Sequence, residues 1–172
     1  MIQRGNNRQA CFAQWRTTKF YIKWLKEYSR KYSVAIHAWV LMTNHIHLLC
    51  TPLEGGAISK MLQSIGRRYI QYFNHQYKRS VTLWEGRYKS CLIEAENYLI
   101  EVYRYIELNP VRAKMVKDSS EYLWSNYQIN VLGKLLELCT PHAEHLKLGQ
   151  SEAERMENYR TLFAHHVEDE FT

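Results

Sequence analysis

Cysteine pairs, long apolar runs and repeats are missing from this sequence of 172 residues, and acidic residues are scarce over much of it. The four cysteines, Cys11, Cys50, Cys91 and Cys139, lie far apart, and no two form a C-x-x-C pair. No signal peptide pattern precedes them, so they read as packing thiols of a reduced, cytoplasmic protein. No apolar run approaches the roughly 20 residues that a membrane span needs, and no membrane partner is expected. Phenylalanine is sparse beside tyrosine, 5 against 13, so much of the aromatic surface carries a hydroxyl.

Hydrophobic residues make up 46% of the chain, which argues against disorder, and the length suits one domain with a small appendage. The net charge of +6 is unevenly spread. Residues 1–36 carry eight Lys/Arg against one Glu, and residues 60–93 carry seven against one Glu. Residues 137–172 reverse the balance, with eight acids against three Lys/Arg. A basic body with an acidic tail fits a polyanionic partner; the plainer reading is solvated surface charge. The expected division is a main domain over 1–128 and an acidic helical extension over 129–172.

Met1-Ile2-Gln3-Arg4 reads as the end of a strand, cut short, running into the turn signal Gly5-Asn6-Asn7. Apolar residues at helical spacing predict an amphipathic helix from Thr17 or Thr18 to about Lys31. Ser33 to Leu41 and His45 to Thr51 form a predicted hairpin around Met42-Thr43-Asn44, with Pro52 ending the second strand. A long helix is expected over 57–77, then loop and strand over 80–93. A further helix over 97–108 should stop at Asn109-Pro110, with Asn109 capping a short new helix. The whole reads as an α+β domain with helices packed on an antiparallel sheet.

Chemistry gathers in two places. In His45-Ile46-His47, strand alternation turns both imidazoles to one face, where they can converge on one metal ion. The alternative is two histidines satisfied by hydrogen bonds on a polar sheet face. A third ligand is needed, and His37, on the neighbouring strand, and His75, at a helix end, fit poorly. His142 and His145 could form a separate metal pair, but in the acidic tail they read rather as surface histidines. The second place is the helix after residue 97, where Tyr105 and Asn109 stand four apart and share a face, with Glu101 and Arg112 near the same stripe. A phenol can attack a phosphate that an ion polarises, and the Asn109 amide oxygen could complete the ion's site. By spacing alone, Tyr105 reads more readily as a core tyrosine, and Asn109 as a cap or turn.

Longer motifs narrow the choice. His37-Ala-Trp-Val-Leu-Met-Thr-Asn-His-Ile-His-Leu-Leu49, Leu83-Trp-Glu-Gly-Arg-Tyr-Lys89, Tyr103-Arg-Tyr-Ile-Glu-Leu-Asn-Pro-Val-Arg-Ala113 and Trp124-Ser-Asn-Tyr127, with Gln3-Arg-Gly-Asn-Asn-Arg8, resemble the REP-associated tyrosine transposases of the IS200/IS605-like superfamily. The resemblance implies an HUH fold, that is, a ferredoxin-like antiparallel sheet with flanking helices, followed here by a helical C-terminal tail. It implies that His45 and His47 hold a divalent metal, Mg²⁺ or Mn²⁺, with Asn109 as amide ligand. It implies that Tyr105 is the nucleophile, forming a 5′-phosphotyrosine in single-stranded or hairpin DNA. Within the basic segment, Arg67, Arg68, Lys78, Arg79, Arg87 and Lys89 are expected to meet DNA phosphates, and Trp84 and Tyr88 to stack on unpaired bases. Tyr72 and Trp84 have a core reading as well. A nucleoid-associated location follows from such a partner, and a homodimer is left open. The rival readings are a domesticated or inactive hairpin-binding protein and a small metal-dependent hydrolase; the hydrolase would require a third acidic or histidine ligand.

Overall fold

The computed structural model describes residues 1–12, 14–80, 82–93, 96–133 and 137–163. Its centre is the expected hairpin. Strands β2 (Val34–Leu41) and β3 (His45–Pro52) pair antiparallel from Val34↔Pro52 to Leu41↔Ile46, with one irregularity between Ile36 and Ala38. The turn is closed by Met42 N donating to His45 O at 2.8 Å. The short strand β1 (Ile2–Arg4) lies antiparallel on the other side of β3, so the sheet order is β1-β3-β2.

Chain segments outside the regular strands cover both edges, which removes the open ladder that invites aggregation. The bridges Ile2↔Lys89 and Gly5↔Trp84 lay residues 84–89 beside β1. Val40↔Ser125 and Ile36↔Cys139 do the same for β2. The strand expected within 80–93 is therefore present as isolated bridges. With these included, the arrangement has the strand order and connecting helices of a ferredoxin-like sheet. Gly5 is required where β1 ends, because a Cβ there would lie 2.5 Å from Cys11 Sγ and 2.6 Å from Gln9 O.

Strand alternation gives the sheet two different faces. Ile46, Leu48, Trp39 and Leu41 belong to a core with helices α1 (Trp15–Lys31) and α2 (Ala57–Tyr77). Helix α1 begins two residues before the earliest expected start, and the hydroxyls of Thr17 and Thr18 bond the Gln14 carbonyl at its first turn. Its buried positions Thr17, Tyr21, Trp24 and Leu25 recur at three- and four-residue steps, as do Met61, Leu62, Ile65, Tyr69 and Phe73 of α2. Each such large apolar side chain contributes about 1.5–3 kcal/mol when fully buried. Tyr69 also donates its hydroxyl to Cys11 O, fixing the loop that follows β1.

The opposite face carries Ala38, Val40 and Leu49 and is covered by helix α3 (Glu96–Arg112) through Leu99, Val102, Tyr103 and Ile106. The expected stop at Asn109-Pro110 does not occur. Pro110 sits inside the helix, which continues to Arg112, and Asn109 caps no new helix. Proline lacks only the N–H that would bond Ile106 O, a loss that is tolerable this close to the helix end. Ala113 N still donates to Asn109 O and Met115 N to Pro110 O, both at 2.9 Å.

Within the described part of the expected extension, residues 137–163 pack onto α3. Tyr159, in the helix Glu152–Phe163, is fully buried. His145, in the short helix Ala143–Leu146, is also buried, which corrects its reading as a surface histidine. Its ring stacks on Tyr103 at 5.6 Å and lies 5.1 Å from Tyr159, and neither ring nitrogen has a hydrogen-bond partner. His142 remains half-buried, and its Nδ1 accepts from Glu144 N. Beneath these residues the Glu107 carboxyl is wholly buried, and burial pushes its pKa up to about 8.

Burial, reinforced by the charge of Arg155, pulls the His145 pKa down to about 4 from 6.5. A histidine depressed on folding contributes stability that is present above its unfolded pKa and lost as pH falls through the folded value. Replacing His145→Phe keeps the ring stack and removes two unpartnered nitrogens. The variant should be more stable by about 1–3 kcal/mol and should lose less stability between pH 6.5 and 4 than the wild type. Urea titrations across that range check both expectations.

Candidate metal and nucleophile site

The register of the hairpin places the site. His47 lies opposite Val40, and Leu49 opposite Ala38, so His45 and His47 point toward α3 while Ile46 enters the other core. The two imidazole centroids are 5.0 Å apart with their planes at 76°. Tyr105, projecting from α3 and half-buried, stands with its ring 5.8 Å from that of His47 in an edge-on arrangement. The guanidinium of Arg112, two turns further along α3, lies 5.1 Å over the Tyr105 ring. Residues 60 positions apart in sequence are thereby brought into one ring cluster.

Both imidazoles are neutral near physiological pH. Burial first, and then the neighbouring Arg4 charge, lowers the His45 pKa to about 4. Burial, helped by His45 and Arg4, lowers that of His47 to about 3. A neutral imidazole offers a lone pair to a metal without first losing a proton. His45 Nδ1 pairs with Asn44 Oδ1 at 2.6 Å, which orients the ring and leaves Nε2 for an ion. Asn109 donates Nδ2 to Tyr105 O at 2.8 Å, so its amide oxygen is the atom left for ligation.

The two imidazoles, with an amide oxygen as third donor, would suit a divalent ion of intermediate hardness. Among the described residues no group of three His, Cys, Asp or Glu could hold a metal, so the water-activating hydrolase reading finds no acidic or histidine third ligand. His37 is engaged elsewhere, with Nδ1 bonded to Thr140 O at 2.8 Å and Nε2 to Thr51 Oγ1 at 2.9 Å.

The residues expected to meet DNA divide into two groups. Arg67, Trp84, Arg87 and Tyr88 line one cavity of about 250 Å³ together with Gln3 and Gln63. Gln3 pairs with Ile46, so this cavity belongs to the α1/α2 side of the sheet, opposite the imidazoles. Within it Trp84 is a core residue, 5% exposed and stacked on Tyr69, so its ring is not open to a base. Tyr72 likewise packs against Phe20 and Trp24. Outside the cavity, Arg68 lies over Trp24 and bonds both Glu27 oxygens at 2.9 Å. Arg79 bonds Gln9 Oε1 at 2.6 Å, Lys78 forms the left-handed cap of α2, and Lys89 exchanges backbone hydrogen bonds with Ile2.

Arg4 is a site residue that sequence reasoning passed over. It lies opposite His45 in the β1–β3 register and is exposed on the imidazole face. Only the pairing of β1 with β3 brings it there.

Residues 1–109 match the family described as Transposase IS200 like, and the chain belongs to that family. Its fold is similar to that of a REP-associated tyrosine transposase solved bound to a REP hairpin, with 21% identity and a TM-score of 0.61 over 82% of this chain and 83% of the other. No curated protein matches the chain. Among the described residues, no helix is long and apolar enough to cross a membrane.

Calorimetric titration with Mn²⁺ tests the donor set. His47→Ala should abolish binding to the isolated protein, and Asn109→Ala should weaken it by about 10-fold or more. Unchanged affinity in His47→Ala would remove this residue from the site.

Proposed function

We propose that this chain cuts and rejoins single-stranded DNA beside palindromic hairpin repeats, in DNA transposition, through a covalent 5′-phosphotyrosine. The observation that carries the reading is the edge-on approach of the Tyr105 ring to the His45–His47 pair. Membership of the transposase family supports the reaction class, and the relative solved with a REP hairpin supports the substrate.

The positions of the chain's own residues support the following reaction. Tyr105 Oη attacks the scissile phosphorus, a bond forms from phenolic oxygen to phosphorus, and the bond from phosphorus to the 3′ oxygen breaks. The phenolic proton is lost and the departing strand end takes one up as a 3′-OH. His45, His47 and Asn109 would hold a divalent ion, Mg²⁺ or Mn²⁺, whose role when bound is to polarise the phosphoryl oxygens. Because these ligands are neutral, they leave nearly all of the ion's charge for the phosphate. Arg112 and Arg4 place two further cations beside the site, where they favour a bound phosphate and the charge that develops on it. The phosphotyrosine linkage stores the bond energy, so a second 3′-OH can reverse the attack and join strands without ATP.

The hairpin would lie along the basic surface of α2 and residues 84–89. Arg67 and Arg87 meet phosphates there, and Tyr88, held by its hydroxyl to Ser59 Oγ at 2.9 Å, offers a ring to an unpaired base. Stacking of this kind contributes about 1–3 kcal/mol per base. The strand then rounds the edge formed by residues 84–89 and β1 to reach the imidazole face.

Labelled hairpin DNA with a single-stranded flank, resolved on denaturing gels, tests the reaction. Wild-type protein with Mn²⁺ should form a covalent adduct, and Tyr105→Phe should form none while binding the hairpin with unchanged affinity. Retention of the adduct in Tyr105→Phe would assign the nucleophile elsewhere. Hairpin affinity should fall steeply with salt, and Arg67→Ala should reduce the slope of log K against log salt by about 1.

A further inference from the structure

Tyr105 and the imidazoles come from different layers, and neither α3 nor β3 alone sets the gap between them. We propose that Glu107 and Asn126 form a buried cross-brace that holds α3, and with it Tyr105, at its working distance from His45 and His47. This inference rests on Tyr105 being the nucleophile.

The brace can be followed atom by atom. Glu107 and Asn126 are both 0% exposed. Glu107 Oε1 accepts from Asn126 Nδ2. Asn126 Oδ1 accepts from Trp39 N at 2.7 Å, and Asn126 N donates to Trp39 O at 3.1 Å. Trp39 belongs to β2, and its neighbour Val40 is the residue paired with His47. One asparagine therefore grips both backbone groups of a strand residue and, with its remaining amide hydrogens, a carboxyl on the catalytic helix. Two more bonds hold the same segment to the strand: Leu41 N donates to Trp124 O at 2.9 Å, and Tyr122 donates its hydroxyl to Leu41 O at 2.6 Å.

Helix geometry gives this link its leverage. Glu107 is two residues from Tyr105, about 200° around the helix axis, so the two side chains project on different sides. The brace fixes the helix on one side while Tyr105 faces His47 on the other. A buried carboxyl is costly as mere filling, since an apolar residue of similar size would pack the same space. A buried hydrogen-bonded link between two layers instead specifies one arrangement of them. Reactions that depend on alignment lose about 10²-fold for a misplacement of about 1 Å. Glu107 and Asn126 are thus positioning residues, remote from the reacting atoms.

Asn130 provides an internal control. Its Nδ2 donates to the same Glu107 Oε1 at 2.8 Å, yet its side chain makes no bond to the sheet. The test measures single-turnover adduct formation at saturating hairpin and Mn²⁺, with hairpin Kd measured separately by fluorescence anisotropy. Asn126→Ala should slow the adduct step about 10-fold or more while Kd changes less than about twofold. Glu107→Gln, which keeps the acceptor oxygen, and Asn130→Ala should both react within about threefold of wild type. Glu107→Leu removes the acceptor at similar volume and should be as slow as Asn126→Ala; it carries the test if Asn126→Ala does not fold. Wild-type rates in Asn126→Ala or Glu107→Leu overturn the brace, as does an equal slowing in Asn130→Ala, and each leaves the nucleophile assignment standing. An adduct that survives Tyr105→Phe overturns that assignment and the brace with it.

Discussion

The pairing of β2 with β3 is the constraint on which the rest of the molecule depends. Because side chains alternate along a strand, the register that sets Val40 opposite His47 sends both imidazoles to one side and Ile46 to the other. A slip of one residue would exchange them, burying two imidazoles among α1 and α2 and exposing an isoleucine to the site. The apolar alternation of β3, with Ile46 and Leu48 deep in one core, makes that slip costly, so the cores that stabilise the fold also aim the imidazoles.

Burial then acts on the chemistry of that face. Helix α3 covers it, and desolvation drives both histidines well below their usual pKa, keeping them neutral. Arg4 and Arg112 add positive charge around them. The result is a place where neutral imidazoles sit beside cationic side chains. The cavity lined by Arg67, Arg87 and Tyr88 lies across the sheet from it.

Most of the architecture was legible in the chain. The hairpin, the long helix over 57–77 and the amphipathic helix ending at Lys31 follow from periodicity, turn residues and β-branched runs. Pro110 misled the reading of α3, because a local rule about proline cannot weigh the packing of Val102, Tyr103 and Ile106 that carries the helix onward. His145 misled in the same manner: an acidic neighbourhood in sequence says nothing of the two tyrosine rings that enclose it. Trp84, read both as a stacking platform and as core, is core, since the partner that covers it, Tyr69, comes from a different helix.

By itself the sequence determined which residues could carry the chemistry and on which elements they stand: two imidazoles two apart on a strand, a phenol and an amide four apart on a helix. Local periodicity is enough for that, because it depends only on backbone geometry within a few residues. Tertiary structure alone decided that the phenol meets the imidazoles, that Arg4 joins them, and that Asn126 ties their two layers together. Those contacts join residues tens of positions apart, and they exist only once the two faces of the sheet have each found their own helices.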